Sequence, residues 1–458
     1  MIEKEQPKRE NFGSKLGVIA AAAGSAVGLG NIWRFPYVAG ENGGGAFLLV
    51  YIGFVILIGV PVMLSEFVIG RRAQRDPVGA FKTLAPKTAW PLVGFIGITA
   101  AFTILAFYTT VAGWTLEYLY LSFVNGFGKA QKAELSTQFS SFVSDGIRPV
   151  FWQMVFMAMT AFIILKGVKN GIEKYTKIMM PMLLIILLLL VVRSVTLPNS
   201  ADGLKFLFQP DFSKIGAQAI LQALGQAFFS LSIGMGTLIT YGSYISKKEI
   251  LSNTAISVSL IDTFVAVLAG IAIFPAVFSF GIAPEAGPSL VFITLPMIFS
   301  QMSGGQFFEI IFFILLAIAA LTSTISVLEV VVAYLAEELK MNRKKATIIA
   351  AGSISVLGIL CTLSQGPLPE LKIAGLSLFD VLDKSSANIF LPLGGFFIVV
   401  FVGWVMQKQQ VFDEITNNNS LAGRFRHIYF WIVRFIAPIA IALVFLNGLG
   451  LFGAGNAS

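Results

Sequence analysis

Two short stretches of this chain set glycines beside amide and hydroxyl side chains inside apolar runs. The first reads Val27-Gly28-Leu29-Gly30-Asn31 and the second Ile233-Gly234-Met235-Gly236-Thr237. Both follow one pattern: a β-branched residue, Gly, a large apolar residue, Gly, then a polar side chain. Glycine disfavours a continuous helix, and in hydrocarbon a released peptide N–H or C=O finds no water. A break there needs a polar occupant. N–H groups at the start of a half-helix favour an anion, and released carbonyls favour a cation. Glycine in a membrane helix can also serve close packing. Two such breaks at matching places argue instead for a solute and ion site near the bilayer midplane.

Other polar residues sit where lipid should exclude them. Thr322, Ser323, Thr324 and Ser326 cluster within LLAIAALTSTISVLEVV. Such hydroxyls can return to the preceding turn, but three in succession present at least one to any neighbouring cavity. Asp262, in LIDTFVAV, has no Lys or Arg near it in its own segment. A carboxylate there costs ~2.5–3.5 kcal/mol on insertion scales and marks an ion path or a partner, so a bound cation would suit it. Glu66 and Glu117 admit the same reasoning, or a hydrogen bond between packed helices.

Covalent chemistry has little to work with. The chain has one His, His427, in a basic stretch, and one Cys, Cys361, in an apolar run. Catalysis by a His-based triad and zinc bound by His and Cys are therefore excluded, and no disulfide framework exists. GENGGGAF (40–47) is glycine-rich but lacks the GK[ST] of a phosphate loop, which leaves secondary transport rather than ATP-driven work. No nucleophile–base set supports a membrane enzyme. A channel could use carbonyl-lined breaks too, but in symmetric oligomeric pores, and it would conduct without accumulating solute.

The elements that must position these residues are membrane helices. Of 458 residues 56% are hydrophobic and 12% charged, with 42 Phe; a soluble domain carries about 25% charge. Apolar segments recur at roughly 14–38, 43–70, 88–124, 150–166, 176–197, 214–245, 250–281, 306–338, 346–364, 375–406 and 430–453, each able to cross a ~30 Å core. With the N-terminus inside, most of the 32 Lys and Arg fall in alternate loops, as the positive-inside rule requires. The net charge of +8 thus reports topology and no nucleic-acid partner. Residues 1–11 are polar and lack a signal-peptide core. The expected architecture is an all-α polytopic membrane protein with a cytoplasmic segment 1–13, a repeat 14–197 (segments 1–5) and a repeat 214–406 (segments 6–10). An eleventh span, 430–453, ends outside. Since each repeat crosses an odd number of times, the second is inverted relative to the first.

GSAVGLGNIWRFPYVAGENGGGAF, ALGQAFFSLSIGMGTLITYGSY and AALTST together resemble the neurotransmitter:sodium symporters, particularly bacterial amino-acid members with the LeuT fold. Among these the chain looks most like a multi-hydrophobic amino acid transporter of a bacterial plasma membrane. The resemblance implies a 5+5 inverted repeat with discontinuous helices 1 and 6, one extra helix, and two Na+ sites. One site would use the carbonyl of Ala26, the side chains of Asn31, Ser230 and Asp262, and the substrate carboxylate. The other would use the carbonyls of Gly24, Val27 and Ala319 with the hydroxyls of Thr322 and Ser323. All are the oxygen ligands a hard cation takes. The amino-acid carboxylate would meet the N–H groups of Leu29 and Gly30 and the hydroxyl of Tyr108. Its ammonium would meet the carbonyls of Ala26, Phe229 and Ser230 and the hydroxyl of Ser232. Ile104, Phe229, Met235, Ser326 and Val327 would line an apolar side-chain pocket.

Many relatives have Asn where this chain has Asp262, and chloride-dependent ones have a hydroxyl one turn later, where this chain has Ala266. The fixed carboxylate here implies chloride independence, with proton coupling through Asp262 as the nearest rival. Monoamine carriers have Asp where this chain has Gly28, which implies amino acids rather than amines. The resemblance also implies an outer gate, Arg34 with Asp383, above the rings of Phe229 and Tyr108. It implies an inner gate, Arg9 with Glu337, braced by Ser243 and Tyr244 with Phe12 nearby. Gly171 and Pro181 would let the fifth segment unwind at its cytoplasmic end.

Overall fold

Long apolar runs fold as helices in hydrocarbon because a helix satisfies its backbone groups within itself. The computed structural model describes residues 10–124, 126–128, 131–282, 290–417 and 423–451. Its spans are α1 (Lys15–Ala26) with α2 (Gly30–Glu41), α3 (Gly45–Ala73), α4 (Pro91–Val124), α5 (Ile147–Leu165) and α6 (Val168–Val195). Then come α7 (Ala217–Ser230), α8 (Thr237–Gly242), α9 (Leu251–Ser279), α10 (Gly305–Glu337), α11 (Arg343–Leu363), α12 (Leu378–Val405) and α13 (Phe425–Gly448). Among the described residues nine helices are long and apolar enough to cross a membrane. The pair α1–α2, bent by 51°, makes a tenth. The sixth expected segment is the pair α7 and α8, with residues 231–236 outside helix between them.

The first break opens where Val27 turns extended, at φ −74° and ψ 102°. Upstream, the Ser14 hydroxyl caps α1 by accepting from Gly17 N–H at 3.1 Å. The second break is tighter. Ser232, Gly234 and Gly236 have φ of 54°, 87° and 77°, the left-handed region that glycine enters freely and a serine does not. Gly234 is pressed against α12: a Cβ there would collide with the Leu391 carbonyl oxygen and lie 3.0 Å from Gly395 N. The glycine pattern therefore encodes both a backbone conformation and a close approach.

α10 is the most enclosed span, packing against α4, α1, α6 and α11, while α1 also packs on α9. This brings the hydroxyl run of α10 and Asp262 of α9 against the first break. Gly171 and Pro181 both lie in a wound helix: α6 runs unbroken, with a π turn over Val168–Glu173 and Pro181 inside the following stretch. At the far end, α13 begins at Phe425, earlier than its apolar run, and His427 is an exposed residue on its first turns. Basic side chains there keep an apolar stem against the helix while the charged head reaches the interface. Residues 1–9 and 452–453 of the expected segments lie outside the described residues.

Gly234→Ala places a Cβ where φ and space both forbid it, at a cost of about 1–3 kcal/mol. It should lower the melting temperature of the detergent-purified protein. Gly225→Ala, with nothing within 4 Å of the added carbon, should leave it unchanged; equal melting of the two variants would contradict this account of the second break.

Candidate ion and solute site

At the first break the main-chain groups meet side chains from α2, α4, α7 and the second break. Gly28 N–H donates to Asn31 Oδ1 at 3.1 Å and Leu29 N–H to the Tyr108 hydroxyl at 3.0 Å. The Gly30 carbonyl accepts from Gln226 Nε2 at 3.0 Å, and the Ser25 carbonyl accepts from the Ser232 hydroxyl at 2.9 Å. Thus α4, α7 and the second break each hold part of the first.

On the α10 side, five oxygen-bearing groups singled out in the sequence converge. Ser323 Oγ lies 3.5, 3.4 and 3.5 Å from the carbonyls of Gly24, Ser25 and Val27, and Thr322 Oγ1 lies 3.5 Å from that of Val27. The Thr322 proton goes to its own helix, at 3.1 Å from Ile318 O and 3.0 Å from Ala319 O. Separations of 3.4–3.5 Å are at the outer limit for a hydrogen bond. They match the oxygen–oxygen edge, ~3.4 Å, of an octahedron whose centre lies ~2.4 Å from each oxygen.

On the α9 side the Asp262 carboxylate is fully buried and fully engaged. Asn31 Nδ2 donates to its Oδ1 at 2.7 Å and to its main-chain carbonyl at 3.1 Å. Ser230 Oγ donates at 2.8 Å and the Tyr51 hydroxyl at 3.1 Å. Among the described residues no three His, Cys, Asp or Glu side chains converge, and around the first break the polar groups are neutral oxygens and amides with the one carboxylate of Asp262. That is the chemistry of a monovalent hard cation rather than of a transition metal.

Glu66, whose role the sequence leaves open, answers the second break. Its Oε1 accepts from Gly234 N–H at 2.7 Å, while its Oε2 is buried without a hydrogen bond. Glu117 proves a packing partner, holding Arg148 and the Trp152 indole of α5.

Between the breaks lies a small cavity of about 30 Å³. Of the residues expected to touch a solute, Ala26, Gly30, Ile104, Tyr108, Phe229, Ser232, Met235 and Val327 line it. Leu29 reaches the Tyr108 hydroxyl at its edge. Ser230 turns to Asp262 instead, and the Ser326 hydroxyl returns to Ser323 O at 2.7 Å. Gly30, Tyr108 and Phe229 also line a second cavity of about 410 Å³ bearing Arg34 and Asp383. The partition between the two is therefore two rings and a glycine. Arg34 stands over Phe229, 4.4 Å from its centroid. Among the described residues no ion-pair contact within 4 Å joins Arg34 to Asp383; they face each other across the larger cavity.

The opposite side is closed by several layers. Phe12, buried, packs edge-on to Tyr241 and Tyr244 at 5.7 and 6.0 Å, and its N–H donates to Tyr244 O at 3.1 Å. Below, the Tyr244 hydroxyl donates to Glu329 at 2.7 Å, and Arg343 clasps the same carboxylate at 2.9 and 2.7 Å. Ser243 bonds back to its own helix at Thr240 O. Glu337 accepts from Asp76 N–H at 2.9 Å. Arg9, its expected partner, lies outside the described residues. Sequence reasoning missed the Glu329–Arg343 clasp, and also Tyr51, a lone polar group in an apolar run, and Gln226, one of three glutamines four residues apart.

A family profile described as the sodium:neurotransmitter symporter family matches residues 9–139 and 130–454. The chain belongs to that family. It is a sodium-coupled secondary transporter and not an enzyme. A sodium-dependent transporter of Bacillus subtilis is 40% identical over 97% of this chain and 99% of its own length. One from Haemophilus influenzae is 39% identical over 96% and 98%. The crystal structure of MhsT in complex with L-phenylalanine superposes with a TM-score of 0.89 at 48% identity, covering 96% of this chain and all of that one. The fold is thus the LeuT fold.

Asp76 adds a pH response to the closed side. It caps the helix Pro77–Leu84 through Val78 and Gly79 N–H at 3.0 and 3.3 Å, while its Oδ2 is buried without a hydrogen bond. Burial first, then the charge of Glu337, push this carboxyl up to about 7. The folded chain therefore holds the Asp76 proton more tightly than the unfolded chain, and stability falls as pH rises from the ordinary carboxylate range through about 7. Melting temperature should rise from about pH 8 to about pH 6, and Asp76→Asn should remove part of that rise. An unchanged profile in the variant would refute the assignment.

Proposed function

We propose that the protein imports hydrophobic L-amino acids, aliphatic to aromatic, with two sodium ions per substrate and without chloride, by alternating access. The observation that carries this reading is the cavity between the breaks. Its walls are apolar, at Ile104, Met235 and Val327, and no charged side chain lines it. A zwitterion's charges must then meet backbone and hydroxyl groups, as the two breaks allow. The carboxylate takes the N–H groups of Leu29 and Gly30 and the Tyr108 hydroxyl. The ammonium takes the carbonyls of Ala26, Phe229 and Ser230 and the Ser232 hydroxyl. Gly28 supplies room, since a Cβ there would run into Ser323 Oγ and stand 2.9 Å from the Tyr108 hydroxyl. Met235, flexible and polarisable, adapts the pocket to side chains of different shape. MhsT, of the same fold, holds L-phenylalanine, which supports the same substrate class here.

One sodium ion sits among Ala26 O, Asn31, Ser230, Asp262 and the substrate carboxylate. Its arrival turns the Asn31 amide so that Oδ1 replaces the protons now facing Asp262. The other sits among the carbonyls of Gly24, Val27 and Ala319 and the hydroxyls of Thr322 and Ser323. Sharing the substrate carboxylate with the first ion couples the two: neither is well satisfied alone. Asp262 contributes the fixed negative charge that removes any need for chloride.

The two inverted halves, 14–197 and 214–406, rock about this point in a bacterial plasma membrane, with the N-terminus in the cytoplasm and the last span ending outside. Arg34 and Asp383 close over Phe229 and Tyr108 on the outer side. Arg9 with Glu337 parts on the inner side, together with Phe12, Ser243 and Tyr244. Gly171 and Pro181 let α6 loosen there, opening a water path to the second ion.

In proteoliposomes, leucine uptake should vanish when sodium is replaced by choline and persist when chloride is replaced by gluconate. Phenylalanine and tryptophan should compete with leucine, whereas lysine and glutamate should not. Uptake driven by a pH gradient without sodium would overturn the coupling. Gly28→Ala should cut sodium-dependent uptake at least about tenfold, or ~1.4 kcal/mol, with the fold intact by melting; undiminished uptake would remove Gly28 from the site.

A further inference from the structure

The seam where α12 ends and α13 begins gathers positive charge around aromatic rings. Lys408 Nζ lies 5.3 Å from the Phe412 ring and 5.6 Å from that of Phe430, whose centroids are 5.8 Å apart. The Arg426 guanidinium lies 5.2 Å from Phe412, and that of Arg434 lies 5.9 Å from Phe430 and 4.2 Å from Trp404. Three cations thus share one pair of rings. The nearby carboxylates are committed elsewhere: Asp413 accepts from Gln409 at 2.8 Å, and Glu414 holds Arg71 at 2.6 Å and Arg72 at 3.6 Å. Among the described residues no carboxylate lies within 4 Å of Lys408 or Arg434, and Arg434 Nε is buried without a hydrogen bond.

Ring faces attract each cation but do not cancel the repulsion among them. An anion would. Two observations say which kind. Spans end at Val405 and begin at Phe425, which sets the cluster at the depth of lipid headgroups. Beside it Trp404 and Trp431 are 54% and 65% exposed on the outer face of the bundle, as in the aromatic belt of a membrane interface. A headgroup phosphate would satisfy the cations while its acyl chains cover those rings. Basic pockets between span ends are suited to such headgroups.

We propose that this seam is a specific site for an anionic glycerophospholipid, whose phosphate bridges Lys408 and Arg434 and whose acyl chains run past Trp404 and Trp431. The site is separate from the solute cavity and independent of the substrate reading. Native mass spectrometry of the wild-type protein, loaded with phosphatidylglycerol or with phosphatidylcholine, tests it without any variant. The anionic lipid should survive activation energies that strip the zwitterionic one. In lipid titrations, Lys408→Gln with Arg434→Gln should weaken phosphatidylglycerol binding at least tenfold, and Lys372→Gln, on the exposed hairpin before α12, should not. Three results would overturn the proposal. These are equal retention of the two lipids, equal thermal protection by inorganic phosphate alone, or a dimer that buries the seam and excludes lipid.

Discussion

A peptide group released inside hydrocarbon must be bonded by something other than water, and this molecule answers that demand differently at its two breaks. The break between α7 and α8 is satisfied by the protein itself. Glu66 takes the Gly234 N–H at 2.7 Å, and α12 backs it so closely that only glycine fits at 234. The break between α1 and α2 is satisfied only in part. Its carbonyls stand at 3.4–3.5 Å from the Thr322 and Ser323 hydroxyls, a spacing better matched to a shared cation than to hydrogen bonds. One break is a fixed structural joint. The other is left partly open.

The same contrast governs how the central cavity is enclosed. Toward Arg34 the wall is the rings of Tyr108 and Phe229 with Gly30. Ring rotation alone would breach it, and such motions are fast compared with shifts of whole helices. Toward Phe12 the wall is a packed aromatic cluster, a two-pronged Arg343–Glu329 pair with Tyr244 joined to it, and the Asp76–Glu337 contact. Opening that side means separating buried charged partners together, which favours an all-or-none change over gradual leakage. A thin barrier on one face and a thick one on the other is what keeps a coupled carrier from becoming a channel.

Several carboxylates buried in the bundle are surrounded by donors that offset their desolvation. Asp262 has Asn31, Ser230 and Tyr51; Glu117 has Arg148 and Trp152; Glu329 has Arg343 and Tyr244. Around Asp262 the donors are all neutral side chains. That leaves its negative charge uncancelled beside the first break, where an alkali cation can compensate it.

Much of this was legible in the residues themselves. Hydropathy located the spans, and the two Gly-x-Gly stretches located both breaks, because helix formation and its interruption depend on neighbours in the chain. Asn31, Asp262, Thr322 and Ser323 stood out as polar groups that lipid would reject unless used. What the residues left open were roles set by which helices meet. Glu66 and Glu117 looked alike in sequence, yet one caps a broken backbone and the other binds an arginine on the next span. Arg34 rests on Phe229 rather than against Asp383, and Gly171 and Pro181 sit in a wound helix. Asn31 meets Asp262 across a separation of 231 residues. Local pattern determines where the backbone breaks; only tertiary packing decides what fills each break, since the satisfying groups arrive from distant segments whose approach no local preference encodes.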